Sequence, residues 1–404
     1  MNDLVINKSN WSQITLGELA DDISQRVSNP DGSEYKRFVG LEHFVSGDIK
    51  ISKYSGTKGL VSAGKAFQAG DILFARRNAY LRRASIVNFD GVCSGDAFVL
   101  RENKAKLIPG FLSYIVNSNS LWDFANSNAA GTMSKRVKWR DLAEYQIVLP
   151  PIDEQSKLDK LLKSCDEVVG KHRNLQEKIE RFYSATREKL MLEVDDNCST
   201  EFNIKLKNNI NKNICFTTVS DHVVNIKYGT SKKATKDLSG YEVLGIPNVV
   251  NERLSLDRLS RVDLSQNEYE SIRLSYGDIV IVRTNGNPEY TGRSAIYNID
   301  EGHVFASYLI KLRLDENVFD PEFVVRYLQC NVVRRYFRRH ATSSAGNYNI
   351  NTETIKNLPI PQFELNKQRD IVKQLKEIEH TIDQVKDHRT NSELLLNQLI
   401  NKVF

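Results

Sequence analysis

The segment Gly-Asp-Ile-Leu-Phe-Ala-Arg-Arg-Asn at residues 70–78 returns at residues 277–285 as Gly-Asp-Ile-Val-Ile-Val-Arg-Thr-Asn. Each copy places a Gly-Asp turn before a short apolar strand and an Arg-x-Asn sequence after that strand. The two copies lie roughly 200 residues apart, whereas the units of a stacked solenoid run about 20–50 residues. The pattern therefore predicts a duplicated module of domain size.

Further landmarks follow both copies in the same order. Each copy continues through an apolar strand that ends in arginine, a helical segment that follows a proline, and a proline-containing hinge. The matching pairs are residues 98–101 and 309–313, residues 109–114 and 321–327, and residues 149–152 and 358–361. Short β-type runs between turn residues, with fewer helices, favour an α+β fold for each module.

The composition is that of a globular chain large enough for two cores, with 404 residues of which 40% are hydrophobic. The net charge of +5 only mildly favours an anionic partner. Neither a signal peptide nor an apolar run of about 18 residues occurs, so we expect a soluble, cytoplasmic protein. The cysteines form no Cys-x-x-Cys pair, which argues against a zinc site or a disulfide framework: Cys93, Cys165, Cys198, Cys215 and Cys330.

Two long heptad patterns follow the hinges, one from Asp153 and one from Ile371. A helix of about 40 residues is a rod of roughly 60 Å, longer than a small domain requires. Because a lone heptad helix leaves its apolar seam in water, we expect the two helices to pair. The predicted seam consists of Leu158, Leu161, Val168, Leu175, Ile179 and Phe182 in the first helix and Ile371, Leu375, Ile378, Ile382, Val385, Leu396 and Leu399 in the second.

The sequence thus predicts five segments. The third is assigned as a linker because it is polar and rich in asparagine. The segments are a first module at residues 1–150, a central helix at 151–194, a linker at 195–213, a second module at 214–361 and a distal helix at 362–404.

Basic residues gather at matching places in the two modules. Arginine pairs in a bidentate manner with guanine and asparagine with adenine, so loops that mix these residues are typical of a DNA reader. A solvated surface turn or the outer face of a helix remains the alternative for each loop. The first module offers Arg76, Arg77, Asn78, Tyr80, Arg82 and Arg83, followed by Lys135, Arg136 and Lys138. The second offers Arg283, Thr284, Asn285 and Arg293, followed by Ser343, Ser344, Asn347 and Tyr348.

A basic run at residues 334–339 lies within a window, residues 323–351, that is free of acidic residues. This window favours a surface that faces phosphates over the mere outer face of a helix.

Two motifs that resemble catalytic signatures are interpreted as turns. Asn287-Pro288-Glu289-Tyr290 is similar to the loop with which adenine methyltransferases hold a flipped base, but glutamate replaces its second proline and no glycine-rich cofactor loop accompanies it. Pro30-Asp31 and Glu34-Tyr35-Lys36 match a nuclease signature in letters only, because two intervening residues cannot form the hairpin required. No histidine has a partner at metal-ligand spacing, so neither a catalytic nor a metal site is predicted.

The duplicated order of these features resembles the specificity subunit of Type I restriction-modification systems. The resemblance covers the whole chain and rests on the Gly-Asp-Ile loops, Gly/Thr/Ser stretches at residues 131–134 and 343–346, proline hinges that lead to Glu154-Gln155 and Lys367-Gln368, and the two long helices. It implies that the modules are target-recognition domains, each reading half of a bipartite DNA sequence. It also implies that the helices form an antiparallel coiled coil that sets the gap between the halves.

The resemblance further implies a non-catalytic chain that docks two methyltransferase subunits and, for cleavage, two restriction subunits with motor and nuclease activity. S-adenosylmethionine, ATP and Mg²⁺ would then bind to those partners, and no cofactor is expected on this chain. Because the modules differ at nearly every loop position, we expect an asymmetric target. Two other functions stay open: the recognition subunit of a Type IIB-like enzyme, and a coiled-coil adaptor without a DNA role.

Overall fold

The computed structural model describes residues 6–132, 134–192, 200–235, 239–250, 252–344 and 346–404. The chain forms two compact units, one of Met1–Leu175 with Val385–Phe404 and one of Gln176–Gln384. Each unit therefore contains one copy of the repeat together with parts of both long helices. Cys198 and the first residues of the predicted linker lie outside the described residues.

The first unit contains eleven described strands, four short helices and the start of a long helix. The strands are β1 (Ser12–Thr15), β2 (Ala20–Asp22), β3 (Arg26–Val27), β4 (Arg37–Val39), β5 (Ser55–Gly56), β6 (Gly64–Phe67), β7 (Ile72–Ala75), β8 (Ala84–Ile86), β9 (Gly91–Ser94), β10 (Ala97–Glu102) and β11 (Gln146–Leu149). The helices are α1 (Leu16–Leu19), α2 (Leu112–Ile115), α3 (Asn119–Ser127), α4 (Trp139–Leu142) and α5 (Ile152–Leu192).

A four-stranded sheet of order β2-β10-β7-β8 lies at the centre of this unit, beside a five-stranded sheet of order β3-β6-β9-β4-β5. One face of the central sheet packs on α3, where the rings of Phe74 and Trp122 stack with centroids 4.6 Å apart. Both aromatic side chains are almost fully buried, so they contribute a large share of the apolar core. The sheet is thereby held in place behind the loop that follows β7.

The second unit contains sixteen described strands, four short helices and the start of the other long helix. The strands are β12 (Thr200–Asn203), β13 (Asn208–Asn211), β14 (Phe216–Thr218), β15 (Val223–Tyr228), β16 (Tyr241–Leu244), β17 (Val249–Val250), β18 (Arg253–Leu254), β19 (Ser260–Val262), β20 (Ile279–Val282), β21 (Thr284–Asn285), β22 (Ser294–Ile296), β23 (Val304–Phe305), β24 (Leu309–Leu314), β25 (Thr342–Ser344), β26 (Asn347–Asn349) and β27 (Pro359–Pro361). The helices are α6 (Gln266–Ile272), α7 (Pro321–Leu328), α8 (Asn331–His340), α9 (Thr352–Lys356) and α10 (Leu365–Val403).

The central sheet is the same in both units. The second has the order β15-β24-β20-β22, which corresponds strand for strand to the first. The register also matches, since Ala97 lies opposite Ala75 in the first unit and Leu309 lies opposite Val282 in the second. The prediction of two similar α+β modules is confirmed.

The predicted linker is partly a folded hairpin. Its residues 200–211 form the antiparallel pair β12 and β13, and Leu206 in the turn is fully buried in the core of the second unit. Arg339 of α8 donates a hydrogen bond of 2.7 Å to the carbonyl of Leu206. A few buried apolar residues thus anchor an otherwise polar hairpin within the predicted linker, which composition alone did not indicate.

The aspartate of the repeated Gly-Asp-Ile motif is buried in both units. Asp71 accepts two hydrogen bonds of 2.8 Å from Arg101 at the end of β10. Asp278 accepts one of 2.7 Å from Arg313 at the end of β24, and Lys311 lies 3.7 Å away. Since burying an unpaired carboxylate is costly, each copy of the aspartate requires its arginine. The Gly-Asp-Ile motif and the arginine at the end of the later strand, which recur as separate landmarks in the sequence, are thus joined by an ion pair in each unit.

A buried glutamine holds the start of each long helix. Gln155 and Gln368 are at most 1% exposed. In each case the side-chain amide donates to two backbone carbonyls and its oxygen accepts one backbone N–H, so both polar ends of the side chain are satisfied. The partners are Lys106, Pro150 and Ile108 for Gln155, and Val318, Phe363 and Asp320 for Gln368.

Helices α5 and α10 pair in antiparallel fashion, as expected. In the first unit His172 Nδ1 lies 3.1 Å from Ser392 Oγ. In the second unit the hydroxyl of Tyr183 donates to Glu379 at 2.5 Å. Residue numbers that rise along α5 meet numbers that fall along α10, which defines the antiparallel direction.

The predicted seam is wrong for much of α5. Leu161, Val168, Leu175 and Phe182 are 40%, 41%, 44% and 60% exposed, whereas their neighbours Leu162 and Val169 are buried. The buried face of α5 includes the polar residues Gln155 and Asp159. A seam assigned from apolar residues alone therefore falls on the adjacent, exposed face. In α10 the predicted Ile371, Leu375, Val385 and Leu396 are buried, and Ile378, Ile382 and Leu399, like Leu158 and Ile179 of α5, are half-buried.

Asp278→Asn is expected to lower the free energy of unfolding by about 1.5–3 kcal/mol, because asparagine keeps the shape but removes the charge that Arg313 requires. Urea denaturation of the full chain measures the loss. Asp300→Asn makes the same charge change at an exposed position and is the control. Equal stability of the two variants would contradict a structural role for Asp278.

Candidate nucleic-acid interface

The first predicted loop and the first predicted basic stretch lie side by side in the structure. Arg77 and Arg136 form an antiparallel bridge. The backbone N–H of Asn78 donates to the carbonyl of Lys135 at 2.9 Å, and that of Val137 donates to the carbonyl of Arg76, also at 2.9 Å. Two segments about 60 residues apart therefore present their side chains from one surface.

A single carboxylate connects three of the predicted arginines. Asp96 accepts a hydrogen bond of 3.0 Å from Arg136, and its oxygens lie 3.7 Å from the guanidinium groups of both Arg76 and Arg77. The hydrogen bond from Arg136, followed by the charges of the three arginines, holds the pKa of Asp96 below its usual range. We call Arg76, Arg77, Arg136 and Asp96 the arginine cluster.

Asn78 and Ser134 extend this surface. The Ser134 hydroxyl accepts a hydrogen bond of 2.6 Å from Arg77 Nε and lies 3.4 Å from the side-chain oxygen of Asn78. Asn78 adopts a φ of 55°, in the left-handed region that asparagine tolerates better than most residues. The side chains of Tyr80, Lys135 and Lys138 are exposed and stay available to a ligand.

Two predicted arginines of the first loop are engaged within the protein. Arg82 donates to the side-chain oxygen of Asn119 at 2.5 Å and lies 3.6 Å from Asp123. Arg83 donates to the carbonyls of Leu41 and Arg77, each at 3.1 Å. Both side chains hold the shape of the loop through contacts with groups other than Asp96, so neither belongs to the arginine cluster.

The equivalent surface of the second unit is a small sheet of order β21-β26-β25. Thr284 lies opposite Asn349, and Asn285 and Ser343 both lie opposite Tyr348. The predicted Arg-Thr-Asn loop and the predicted Ser/Asn/Tyr stretch therefore form one polar surface. Ser343, Ser344 and Asn347 are exposed on it, and Thr284, Asn285 and Tyr348 are half-buried.

The arginines of this second surface rest on aromatic rings. The Arg283 guanidinium lies 4.8 Å from the ring centre of Tyr228 and donates to the carbonyl of Ser307 at 3.3 Å. Arg293 lies 3.7 Å from the ring centre of Tyr290. A cation over an aromatic face is held in a defined place without losing its charge. Both arginines thus keep a positive charge at the surface.

Most arginines of the basic run in α8 contact other groups of the protein. Arg334 donates to the carbonyls of Glu289 at 2.8 Å and Thr291 at 2.9 Å, and burial lowers its pKa to about 10. Arg338 pairs with the Glu289 carboxylate, and Arg335 donates to Asn208 at 3.2 Å. Arg334 and Arg338 fix the turn that contains Asn287-Pro288-Glu289-Tyr290, and Arg335 contacts the hairpin of β12 and β13. The contact of this run with phosphates stays a prediction.

The two surfaces occupy equivalent places but differ in chemistry. The backbone N–H of Arg76 donates to the carbonyl of Asp96 at 3.0 Å, and that of Arg283 donates to the carbonyl of Tyr308 at 2.9 Å. Asp96 and Tyr308 are thus counterparts, although neither was singled out from the sequence. Each lies just before the repeated strand that ends in arginine, so an alignment of the repeats marks their position, but letters alone do not show the contacts.

Among the described residues, no group of three or more His, Cys, Asp or Glu side chains is arranged to hold a metal ion. Within the same part of the chain, no helix combines the length and the apolar character that a membrane crossing requires. These findings concern the described ranges alone and add no further site to the two polar surfaces.

A family model described as "Type I restriction modification DNA specificity domain" matches residues 8–181 and again residues 220–394. The chain belongs to this family. Each match contains one copy of the central sheet and one of the two polar surfaces, so the specificity domain occurs twice. The resemblance noted in the sequence is confirmed.

Relatives of the chain are named as specificity subunits of Type I restriction enzymes. The chain is 28% identical over 154 residues to the specificity subunit of the Type I restriction enzyme EcoDI of Escherichia coli, a match covering 37% of this chain and 33% of that protein. It is 23% identical over 365 residues to the StySPI specificity subunit of Salmonella potsdam, covering 88% and 73%. A solved chain from the study "Structural basis underlying complex assembly and conformational transition of the type I R-M system" shares the fold, with 18% identity, a TM-score of 0.56 and coverage of 98% and 96%.

Lys138→Ala is expected to reduce the slope of log K for DNA binding against log salt concentration by about 1, because one phosphate interaction is removed, while stability stays unchanged. Arg83→Ala is expected to leave this slope unchanged and to lower the free energy of unfolding by about 1–3 kcal/mol, because its hydrogen bonds to the backbone are removed. Binding titrations at several salt concentrations and urea denaturation separate the two effects. A steeper loss of binding for Arg83→Ala than for Lys138→Ala would contradict this assignment.

Proposed function

We propose that this specificity-domain protein is the DNA-recognition subunit of a Type I restriction-modification complex and that each unit reads one half of a bipartite, asymmetric target. One observation carries the proposal: the same framework presents a polar surface twice, with different side chains each time. A repeated framework supports two similar tasks, and different contacts support two different half-sites.

The residues proposed to meet DNA are Arg76, Arg77 and Arg136 of the arginine cluster with Asn78, Ser134, Lys135 and Lys138 in the first unit, and Arg283, Thr284, Asn285, Arg293, Ser343, Ser344, Asn347 and Tyr348 in the second. Arginine and lysine supply charge for phosphates, and the arginine and asparagine side chains suit base edges. Tyr80 is exposed beside the first surface and belongs to the same proposed interface.

The chain itself is proposed to be non-catalytic and to work with partners. Those partners are two methyltransferase subunits and the restriction subunits that supply motor and nuclease activity, with S-adenosylmethionine, ATP and Mg²⁺ bound to them. The relatives named as specificity subunits support this assignment. We place the complex in the cytoplasm, where DNA is accessible to it.

Reconstitution with the methyltransferase subunit of the same system tests the proposal. DNA affinity should fall steeply as salt rises, because binding releases counterions from the phosphates, and it should be higher for a cognate duplex than for a scrambled one. Binding that is weak, insensitive to salt and equal for both duplexes would contradict the proposal and favour an adaptor without a DNA role.

Arg283→Ala and Asn285→Ala are expected to weaken recognition of one half-site only, each by ~1–3 kcal/mol if the side chain makes a bidentate pair with a base. Competition binding with duplexes altered in either half measures the effect. Thr217→Ala, at a half-buried position on β14, which pairs with β27 and not with the strands of the polar surface, is the control and should leave both halves unaffected. Equal losses at the two half-sites would argue against independent units.

A further inference from the structure

The arginine cluster contains an anion where a DNA-facing surface would be expected to carry only cations. Asp96 lies in the turn between β9 and β10 and contacts Arg76, Arg77 and Arg136 at once. We propose that Asp96 is a positioning residue that sets the sequence specificity of the first unit, by fixing three arginines in one arrangement and limiting their excess charge. This inference rests on the proposed function.

The carboxylate lies beneath the cations it holds. The side chain of Asp96 is 21% exposed, whereas those of Arg76, Arg77 and Arg136 are 34%, 43% and 46% exposed. A duplex that approaches this surface therefore meets guanidinium groups first. Asp96 is placed to orient the arginines without occupying the surface that they present.

The backbone keeps the carboxylate in place. The N–H of Asp96 donates to the hydroxyl of Ser94 at 3.2 Å, and its carbonyl accepts from Arg76 at 3.0 Å. Arg136 is fixed in turn by its bridge to Arg77. Because backbone contacts join the segments that carry Asp96, Arg76, Arg77 and Arg136, the three guanidinium groups contact a carboxylate that is held in a fixed position.

The negative charge of Asp96 affects how the three arginines can bind DNA. Three cations with one anion leave a net charge of about +2, and without the anion the cations would repel one another and spread apart. Bidentate recognition of a base edge requires a guanidinium in a fixed plane, whereas attraction to phosphates requires only charge. The carboxylate therefore favours geometry-dependent contacts and weakens the attraction to any phosphate, which raises specificity at the expense of general affinity.

The second unit does not share this device. Its counterpart of Asp96 is Tyr308, which is 57% exposed and carries no charge. There Arg283 is held instead by the Tyr228 ring and the Ser307 carbonyl. The effect of removing the anion should accordingly be confined to the half-site read by the first unit.

Asp96→Asn tests the proposal, since asparagine keeps the size of the side chain and removes its charge. The full chain, reconstituted with its methyltransferase subunit, is titrated against four duplexes: the intact target, the target with either half scrambled, and the target with both halves scrambled. We expect Asp96→Asn to bind the fully scrambled duplex more tightly than the wild type does. We also expect discrimination at the first half-site to fall about 5- to 150-fold, which is the range for removal of one bidentate pair, while discrimination at the second half-site stays as in the wild type.

Glu144→Gln is the matched control, because it removes one negative charge from an exposed position of the same unit outside the cluster. It should leave discrimination at both half-sites unchanged. Asp96→Glu keeps the charge and should keep the wild-type affinity for the scrambled duplex. Thermal unfolding and circular dichroism of each variant exclude loss of fold as the cause of a change.

The outcomes separate the two claims. If the wild-type complex shows no preference for the intact target over the scrambled duplex, the proposed function fails. If the wild type discriminates and folded Asp96→Asn discriminates equally well at the first half-site, Asp96 merely neutralises its neighbours and the inference is overturned. A loss of equal size in Glu144→Gln overturns it as well, because net charge would then explain the effect.

Discussion

An ion pair with a buried aspartate determines where each loop that is proposed to face DNA begins. In the first unit Asp71 is fixed by Arg101 at one end of β7, and the other end of that strand leads directly into Arg76 and Asn78. The strand between them is fully buried, so it transmits a fixed position from the ion pair to the loop. Asp278 and Arg313 do the same for β20 and the loop at Arg283. The polar surfaces depend on this constraint, because side chains that are proposed to read base edges must be held in place.

The rest of the framework joins this sheet to the long helices. Gln155 and Gln368 bind backbone groups of the segment that precedes the short helices of their own unit, and they do so from the first turn of α5 and α10. A fully buried glutamine with all its bonding groups satisfied specifies one arrangement, because any displacement would leave several polar groups unpaired. The start of each helix is thereby coupled to the module that bears the polar surface.

The sequence predicted the duplicated framework well because the framework depends on local, repeated signals. The Gly-Asp turns, the arginine-ended strands and the hinges all recur, and each corresponds to an observed element. The errors have a common physical cause. The face of α5 that carries Leu161 and Val168 is apolar yet exposed, while buried Gln155 and Asp159 are polar, and a pattern of apolar letters records neither fact. The hairpin of β12 and β13 was missed for the same reason.

The candidate site was predicted in part. Charge and recurrence identified the loops at Arg76 and Arg283 and the stretches before the hinges. Within each unit the loop and the stretch form one surface, which follows only from strand pairing between distant segments. Charge counting also could not show that Arg82, Arg83 and Arg334 bind within the protein. Asp96 was missed because an acidic residue contradicts the simple expectation for a DNA-binding surface, although its contacts give the arginine cluster its order.

The central claim is that two units on one framework recognise two different DNA sequences. Mapping the methylated adenines in the DNA of cells that carry the complete system tests this claim most directly. The account predicts a target of two unlike half-sites separated by bases of no defined sequence. A continuous target, or two identical half-sites arranged as a palindrome, would contradict it.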